Sequence, residues 1–200
     1  MDGQWYLPRG ATPTTHILKV LAVERFDRTW WTAPQGDRRL VRLPQENMCQ
    51  AKGMLPTAKY EAENEPGIDA TFQVPDGSMT REQDRRVYFQ AQVLFWMLCA
   101  IDGHEKNFSL FMRPGGRYQL TPLYDVLSAY PLLGEGTSKI SPHWAKLAMG
   151  VRTKNVHWNM KDIFRRQWLE LGKRHGVVTD HGRPAQAVLD DLVARTPEVL

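Results

Sequence analysis

One stretch of the sequence constrains the fold more than any other, because it places a polar loop, a hairpin and a second carboxylate in a fixed order. Residues 99–111 read CAIDGHEKNFSLF and contain Asp102 and Asn107, five residues apart. Arg-Pro-Gly-Gly at 113–116 predicts a hairpin turn, and Asp125 follows 23 residues after Asp102. Carboxylate and amide oxygens are the ligands that magnesium prefers. Because a short hairpin brings its two ends together, Asn107 and Asp125 can meet at one metal ion.

Length and composition limit the class of protein. The chain has 200 residues, 42% of them hydrophobic and 24% charged, enough for one domain or two small lobes with a core. The net charge of +4 permits an acidic partner without requiring nucleic acid, and no helix-turn-helix signature supports a DNA-binding module. The longest apolar run, residues 93–101, is too short to span a bilayer, so we expect no membrane association.

Signals of cellular location are sparse. The N-terminus carries neither the basic nor the apolar region of a signal peptide, so none is expected. The two cysteines, Cys49 and Cys99, have no CxxC spacing. A reduced, cytoplasmic setting fits this usage best.

The local patterns predict mixed helix and strand. The predicted strands are 14–26, the hairpin 29–32 with 38–43, the hairpin 108–112 with 117–120, and 146–149. The predicted helices are 45–51, 81–100, 159 or 162 to 175, and 184–195, with mostly loop over 52–80. Thr80 and Gln83 suggest a capping box at the start of the long helix. Its second half is apolar on most sides, so we expect a buried central helix that leads directly into Asp102.

The candidate site residues each have a simpler structural interpretation. Lys19 lies within the predicted strand, where its ammonium could reach a phosphate. The structural alternative is an ordinary lysine on an edge strand, with no ligand. Asp102, Asn107 and Asp125 are each common turn residues. Together, with the hairpin between them, they favour a metal–phosphate site. His104 is either a contact in that site or plain loop packing. No zinc-ligand spacing and no Ser-His-Asp elbow occurs.

Several segments together resemble one family, the HipA-like serine/threonine kinases, which are the toxin halves of bacterial toxin–antitoxin pairs. They stand in family order over most of residues 4–150, which makes the resemblance specific. The segments are PTTHILK at 13–19, LAVERFDR at 21–28, RLPQENMCQ at 42–50, KYE at 59–61, IDGHEKNFS at 101–109, LTPLYDVLSAYP at 120–131 and KLAM at 146–149.

The resemblance implies roles for the matching positions. Asp102 would be the catalytic base, Asn107 and Asp125 would hold Mg²⁺, and His104 and Tyr124 would line the nucleotide site. The resemblance also implies contacts to ATP from residues nearer the N-terminus. Lys19 would contact the phosphates. Glu24, Arg25 and Phe26 would form a hinge that meets adenine, and Asp27 would lie near the ribose.

The resemblance also implies a fold and partners. The fold would be α+β and protein-kinase-like, of the HipA type, with an incomplete β-rich N-lobe and hinge over residues 1–50. A mostly helical, C-terminally shortened C-lobe would follow over 51–200. The implied reaction is transfer of the ATP γ-phosphate to a hydroxyl of a protein substrate, with an aminoacyl-tRNA synthetase as the best-known type of target. The implied partner is a HipB-like helix-turn-helix antitoxin, through which DNA would be contacted only indirectly.

Three departures from the family favour an alternative. The chain starts after the family's flexible phosphate loop, only four residues separate Lys19 from Glu24, and the C-terminal helical part is short. Read as one strand, Lys19 and Glu24 lie about 17 Å apart. The missing N-lobe parts could come from a separate chain. The alternative is a truncated, non-catalytic remnant that binds antitoxin or nucleotide without turnover.

Overall fold

The computed structural model describes residues 22–54 and 67–195. The chain divides into two compact units, Met1–Arg42 and Leu43–Leu200. Lys19, most of the predicted strand 14–26 and the KYE segment at 59–61 lie outside the described residues. The end of that predicted strand is described, and the prediction is wrong there, because residues 22–26 form no strand.

The described strands form three antiparallel sheets. They are β1 (Arg28–Thr32), β2 (Arg38–Arg42), β3 (Gln45–Asn47), β4 (Ser109–Arg113), β5 (Arg117–Leu120), β6 (Lys146–Arg152) and β7 (Val156–Asn159). β1 pairs with β2, β3–β4–β5 form a three-stranded sheet, and β6 pairs with β7. Both predicted hairpins are confirmed. β7 was missed because its four residues, Val-His-Trp-Asn, do not alternate clearly between apolar and polar.

Each predicted helix is shorter in the structure, and two one-turn α-helices that were not predicted are present among the described residues. The described helices are α1 (Met48–Ala51), α2 (Ile68–Thr71), α3 (Gln73–Asp76), α4 (Arg81–Met97), α5 (Arg165–Arg174) and α6 (Ala185–Arg195). The predicted helix 45–51 is a strand in its first half, where residues 45–47 pair with β4. α2 and α3 occupy part of the predicted loop, since one-turn helices give too little periodicity to recognise.

The large hydrophobic cluster of the described residues lies in the second unit, around α4. Tyr88 and Phe95 of this helix contact Phe108 with ring centroids 4.9 Å and 5.6 Å apart, and Phe89 packs against Trp168. Buried aromatic rings of this kind contribute more to a core than any other side chain. The prediction of a central, buried helix is therefore confirmed.

The start of α4 differs from the predicted capping box. Thr80 makes no side-chain cap. Instead the Ser78 hydroxyl accepts a hydrogen bond from the Thr80 amide at 3.1 Å and lies 2.5 Å from Asp84 Oδ2. The same Asp84 oxygen accepts the Leu120 amide at 2.8 Å. This buried carboxylate thus fastens the first turn of α4 to the end of β5, and so positions both elements that lead to the candidate site.

Candidate active site

The loop that carries Asp102 is fixed to the last turn of α4. Cys99 adopts a left-handed backbone with φ 53°, and the Ala100 amide donates to the Phe95 carbonyl at 2.8 Å. The chain then passes so close to Phe95 that a Cβ on Gly103 would lie 2.3 Å from the ring. Only glycine fits at that distance. The position of Asp102 is therefore set by core packing.

Asp102 and His104 lie side by side with opposite exposure. The Asp102 side chain is 69% exposed, whereas that of His104 is 8% exposed, and His104 Nε2 is 3.9 Å from Asp102 Oδ1. The His104 amide also donates to the Asp102 carbonyl at 3.0 Å. An exposed carboxylate on a firmly held loop can receive a proton from an incoming hydroxyl.

Asn107 and Asp125 are in direct contact, as their spacing allows. Asn107 Nδ2 donates to Asp125 Oδ2 at 2.9 Å, and Asn107 Oδ1 accepts the His104 amide at 3.0 Å. Asp125 has a left-handed backbone with φ 56°. Left-handed conformations are uncommon outside glycine, and asparagine and aspartate tolerate them best. This turn directs the Asp125 carboxylate at Asn107.

This oxygen-donor set fits magnesium. The Asp125 carboxylate and Asn107 Oδ1 can still bind a metal ion in addition to their hydrogen bonds, because these oxygens have further lone pairs. Magnesium usually takes one or two protein carboxylates and completes its shell with water and phosphates. Among residues 22–54 and 67–195, no group of three or more His, Cys, Asp or Glu side chains could hold a metal. That part of the chain therefore offers no all-protein metal cage.

Tyr124 ties the Asp125 segment to the loop and to β4. Its hydroxyl donates to the Lys106 carbonyl at 2.6 Å and lies 2.6 Å from Ser109 Oγ. Burial raises the pKa of Tyr124, and the negative charge of Asp125 raises it further. The phenol therefore stays protonated and continues to donate at neutral pH. Its hydroxyl faces the loop backbone, an arrangement that suits positioning.

The predicted hinge residues Glu24 to Phe26 and the predicted ribose contact Asp27 belong to the first unit. Glu24 and Arg25 are exposed and Phe26 is half-buried. Both Asp27 carboxylate oxygens accept from the Arg25 guanidinium, each at 2.7 Å, and Arg28 Nη1 reaches one of them at 2.5 Å. The Arg25 hydrogen bonds, opposed by desolvation and helped by Arg28, lower the pKa of Asp27 to about 2.

A buried ion pair beneath the loop was not predicted. Glu105 Oε1 accepts from Lys52 Nζ at 2.6 Å and from the Thr71 hydroxyl, and the Cys49 thiol lies 3.9 Å from Oε2. Glu105 is only 4% exposed. It sits between His104 and Asn107, so the pair joins the loop to α2 and to the end of α1. The sequence offers no signal for it, since Lys52 is 53 residues away in a region predicted to be loop.

Comparison with known proteins identifies relatives of this chain. The HipA-like C-terminal domain family matches residues 9–200. A putative kinase, Y4mE, of Sinorhizobium fredii is 34% identical over 114 residues, which cover 56% of this chain and 26% of that protein. The serine/threonine-protein kinase toxin HipA of Shewanella oneidensis is 34% identical over 122 residues, 55% of this chain and 27% of that protein.

A solved structure supports the fold. Shewanella oneidensis HipA, in complex with HipB and operator DNA, superposes with a TM-score of 0.67 at 22% identity, covering 88% of this chain and 39% of that one. The predicted α+β, HipA-type kinase-like fold is confirmed. The matches span about a quarter of the length of the two curated relatives. Among the described residues, none of the helices combines the length and apolar character needed to cross a bilayer.

Proposed function

The chain belongs to the family of HipA-like C-terminal domains, and from this premise we propose that it is the catalytic part of a serine/threonine protein kinase. The reaction would transfer the γ-phosphate of ATP to a hydroxyl of a protein substrate. One observation carries the proposal. Asn107 and Asp125 meet at 2.9 Å, on the two sides of a hairpin, and Asp125 lines the same cavity as the exposed Asp102 carboxylate.

Each residue has a task in this proposal. Asp102 would accept the proton of the attacking hydroxyl, and His104 at 3.9 Å would orient the Asp102 carboxylate. Asn107 and Asp125 would hold Mg²⁺, which when bound neutralises charge on the phosphates. Tyr124 would hold the Asp125 segment in place through its hydrogen bond to the Lys106 carbonyl. Because Glu105 and Gly103 anchor the loop, the Asp102 carboxylate and the Asn107 amide would need little rearrangement when ATP binds. Phosphoryl transfer depends mainly on such positioning.

The nucleotide contacts and partners form a second layer of the proposal. Lys19 would meet the phosphates, Glu24, Arg25 and Phe26 the adenine, and Asp27 the ribose. A HipB-like antitoxin would be the partner, as the Shewanella HipA neighbour is found with HipB and operator DNA. The substrate class would be a protein such as an aminoacyl-tRNA synthetase. Cys49 and Cys99 are buried, and neither forms a disulfide within the described part of the chain, which suits a cytoplasmic location.

The test is phosphate transfer from labelled ATP with Mg²⁺ to a mixed pool of serine and threonine peptides. Asp102→Asn is expected to lose about 10²- to 10⁴-fold in rate, because that is what a general base typically contributes. Folding should survive, since the side chain is 69% exposed. Glu82→Gln, which changes an exposed acid in the first turn of α4, is the control and should keep full activity. Equal rates in wild type and Asp102→Asn would contradict the proposal.

A second candidate is binding of antitoxin or nucleotide without turnover. Antitoxin binding is favoured by Asp27, both of whose carboxylate oxygens accept from guanidinium groups, because a ribose contact would compete with these strong ionic hydrogen bonds. This candidate predicts no transfer to any peptide while a HipB-like antitoxin still binds. Transfer by the purified chain alone would eliminate it.

A further inference from the structure

A cavity of about 480 Å³ opens beside the candidate catalytic centre. Both Asp102 and Asp125 belong to its lining. Its remaining wall is largely apolar, and Ile101, Leu127 and Leu132 are its largest aliphatic side chains. Apolar pockets with a few convergent polar groups are typical ligand sites, and this volume falls within their usual range of about 300–1,000 Å³.

Large apolar side chains are left in water at this cavity. Leu127 is 71% exposed and Leu132 is 51% exposed. Single exposed hydrophobic residues are ordinary, but a group of them around one concave surface marks an interaction site. The cavity is therefore better explained by a binding partner than by packing within the chain.

The wall is fixed in place although residues 121–129 form no regular secondary structure. Ser128 Oγ donates to the Leu98 carbonyl at 2.7 Å, and the Ala129 amide donates to the Cys99 carbonyl at 3.0 Å. The Leu132 amide in turn donates to the Ala129 carbonyl at 2.8 Å. These bonds attach the wall to the end of α4, the element that also positions Asp102. A pocket that is formed in advance binds without a large ordering cost.

We infer that this cavity receives a large aliphatic or aromatic side chain of the protein substrate, one or two residues from the phosphorylated hydroxyl. The inference rests on the proposed function, because it assigns the hydroxyl to Asp102. A hydroxyl within hydrogen-bond reach of Asp102 brings its own flanking residues over the cavity, since successive Cα atoms are only 3.8 Å apart. The lining includes two carboxylates and no basic side chain, so an acidic flanking residue is repelled.

Binding of serine peptides to the wild-type chain, followed by fluorescence anisotropy without ATP, tests the inference apart from catalysis. Each of the two residues on either side of the serine is replaced in turn by Leu, Phe, Ala or Asp. At one position, Leu and Phe are expected to bind about 10-fold or more tightly than Ala, from the apolar area removed from water. Asp at that position should bind weakest.

Two variants tie the preference to the cavity. Leu127→Asp and Leu132→Asp replace exposed side chains, so both should fold, and each should reduce the Leu-over-Ala preference to about 3-fold or less. Val193→Asp is the control, since Val193 is 53% exposed but not part of the lining, and it should keep the preference.

Several outcomes would overturn the inference. They are equal binding of all peptides, no binding of any peptide at millimolar concentration, or a preference that survives both Leu variants. Self-association of wild type that Leu127→Asp abolishes would assign the cavity to a second copy of the chain. Failure of the proposed function looks different: the positional preference remains and responds to the variants, but no peptide is phosphorylated with ATP and Mg²⁺.

Discussion

Asp125 combines an uncommon backbone conformation with a side chain that contacts Asn107. Its φ of 56° costs little for aspartate or asparagine and more for alanine. Backbone conformations of this kind concentrate at functional sites because the surrounding structure has to enforce them. Here the neighbouring residue Tyr124 holds the Asp125 backbone in place, because its hydroxyl hydrogen-bonds to the Lys106 carbonyl and to Ser109 Oγ.

Two substitutions at Asp125 separate its charge from its backbone role. Asp125→Asn keeps a side chain that tolerates the left-handed region, whereas Asp125→Ala should lower the free energy of unfolding by a further ~1 kcal/mol. Both should lose magnesium-dependent ATP binding, because both remove the negative ligand. Calorimetric titration of ATP with and without Mg²⁺, together with urea unfolding, measures the two effects. Magnesium-dependent binding that persists in Asp125→Asn would contradict the metal assignment.

At the scale of elements, the buried Lys52–Glu105 pair holds the loop to its neighbours. Lys52→Met should destabilise the protein by about 3 kcal/mol, since it leaves the Glu105 charge buried beside uncharged groups, the Thr71 hydroxyl and the Cys49 thiol. The double variant Lys52→Met/Glu105→Gln should be no less stable than Lys52→Met alone, because the uncompensated charge is gone. Denaturant unfolding of the wild type, the two single variants Lys52→Met and Glu105→Gln, and the double variant completes a double-mutant cycle.

A matched control distinguishes this pair from a general effect of losing a lysine. Lys173→Met, at an exposed position of α5, should change the free energy of unfolding by less than ~0.5 kcal/mol. Additive effects of the two substitutions in the cycle would mean that Lys52 and Glu105 stabilise the fold independently.

Asp69 joins α2 to the end of α5 and predicts a pH dependence. It accepts from His175 Nε2 at 2.7 Å and from Arg174 Nη1 at 2.8 Å. Burial opposes the Asp69 charge, but the hydrogen bonds from His175 and Arg174 and the charges of those two residues together outweigh it and hold the pKa of Asp69 below its usual value. A depressed folded-state pKa gives stability that is present above the unfolded-state pKa of about 3.9 and is lost as the pH falls through the folded-state value.

Asp69→Asn should therefore be less stable than wild type by about 1–2 kcal/mol at pH 7, allowing for partial solvent exposure. The difference should shrink as the pH falls below about 4, the unfolded-state pKa, and towards the lower folded-state pKa at which the native carboxylate becomes protonated. Thermal unfolding across pH 3–7 measures it. Asp191→Asn, which breaks the exposed pair with Arg183, should cost less than ~0.5 kcal/mol at pH 7. A difference that grows on acidification would contradict the assignment.

At the scale of the whole molecule, stability should be uneven between the two units. The strands of the β1–β2 hairpin are mostly exposed, and the large core cluster lies between Met48 and Leu189. An isolated two-stranded hairpin is marginally stable. Amides of β1 and β2 are therefore expected to exchange with solvent about 10-fold or more faster than those of α4.

The β4–β5 hairpin is the internal control for this measurement. It is equally short, but Leu110, Phe111 and Leu120 bury it in the second unit. Its amides should exchange slowly, as those of α4 do. Native-state hydrogen exchange followed by mass spectrometry compares the two hairpins in one sample. Equal protection of both would contradict an uneven distribution of stability.

The features that could be predicted from the sequence depend either on neighbouring residues or on a motif shared with a family. The hairpins, α4 and the last two helices follow from turn residues and periodicity, which need no tertiary information. The order Asp102, Asn107, Asp125 implied a kinase-like site, and the contact of Asn107 with Asp125 agrees with the reasoning from the hairpin. The roles of these residues remain predictions.

Long-range contacts decided the rest. Lys52 meets Glu105 across 53 residues and Asp69 meets His175 across 106, and no local pattern encodes such separations. The early strand β3 forms because residues 45–47 complete the edge of β4, against their local helical pattern. By itself the sequence determined the loop that carries Asp102 and the hairpin that follows it, because their spacing is local. Only the tertiary structure decided which buried charges anchor that loop and which apolar surface lies beside it, because burial depends on what packs from elsewhere in the chain.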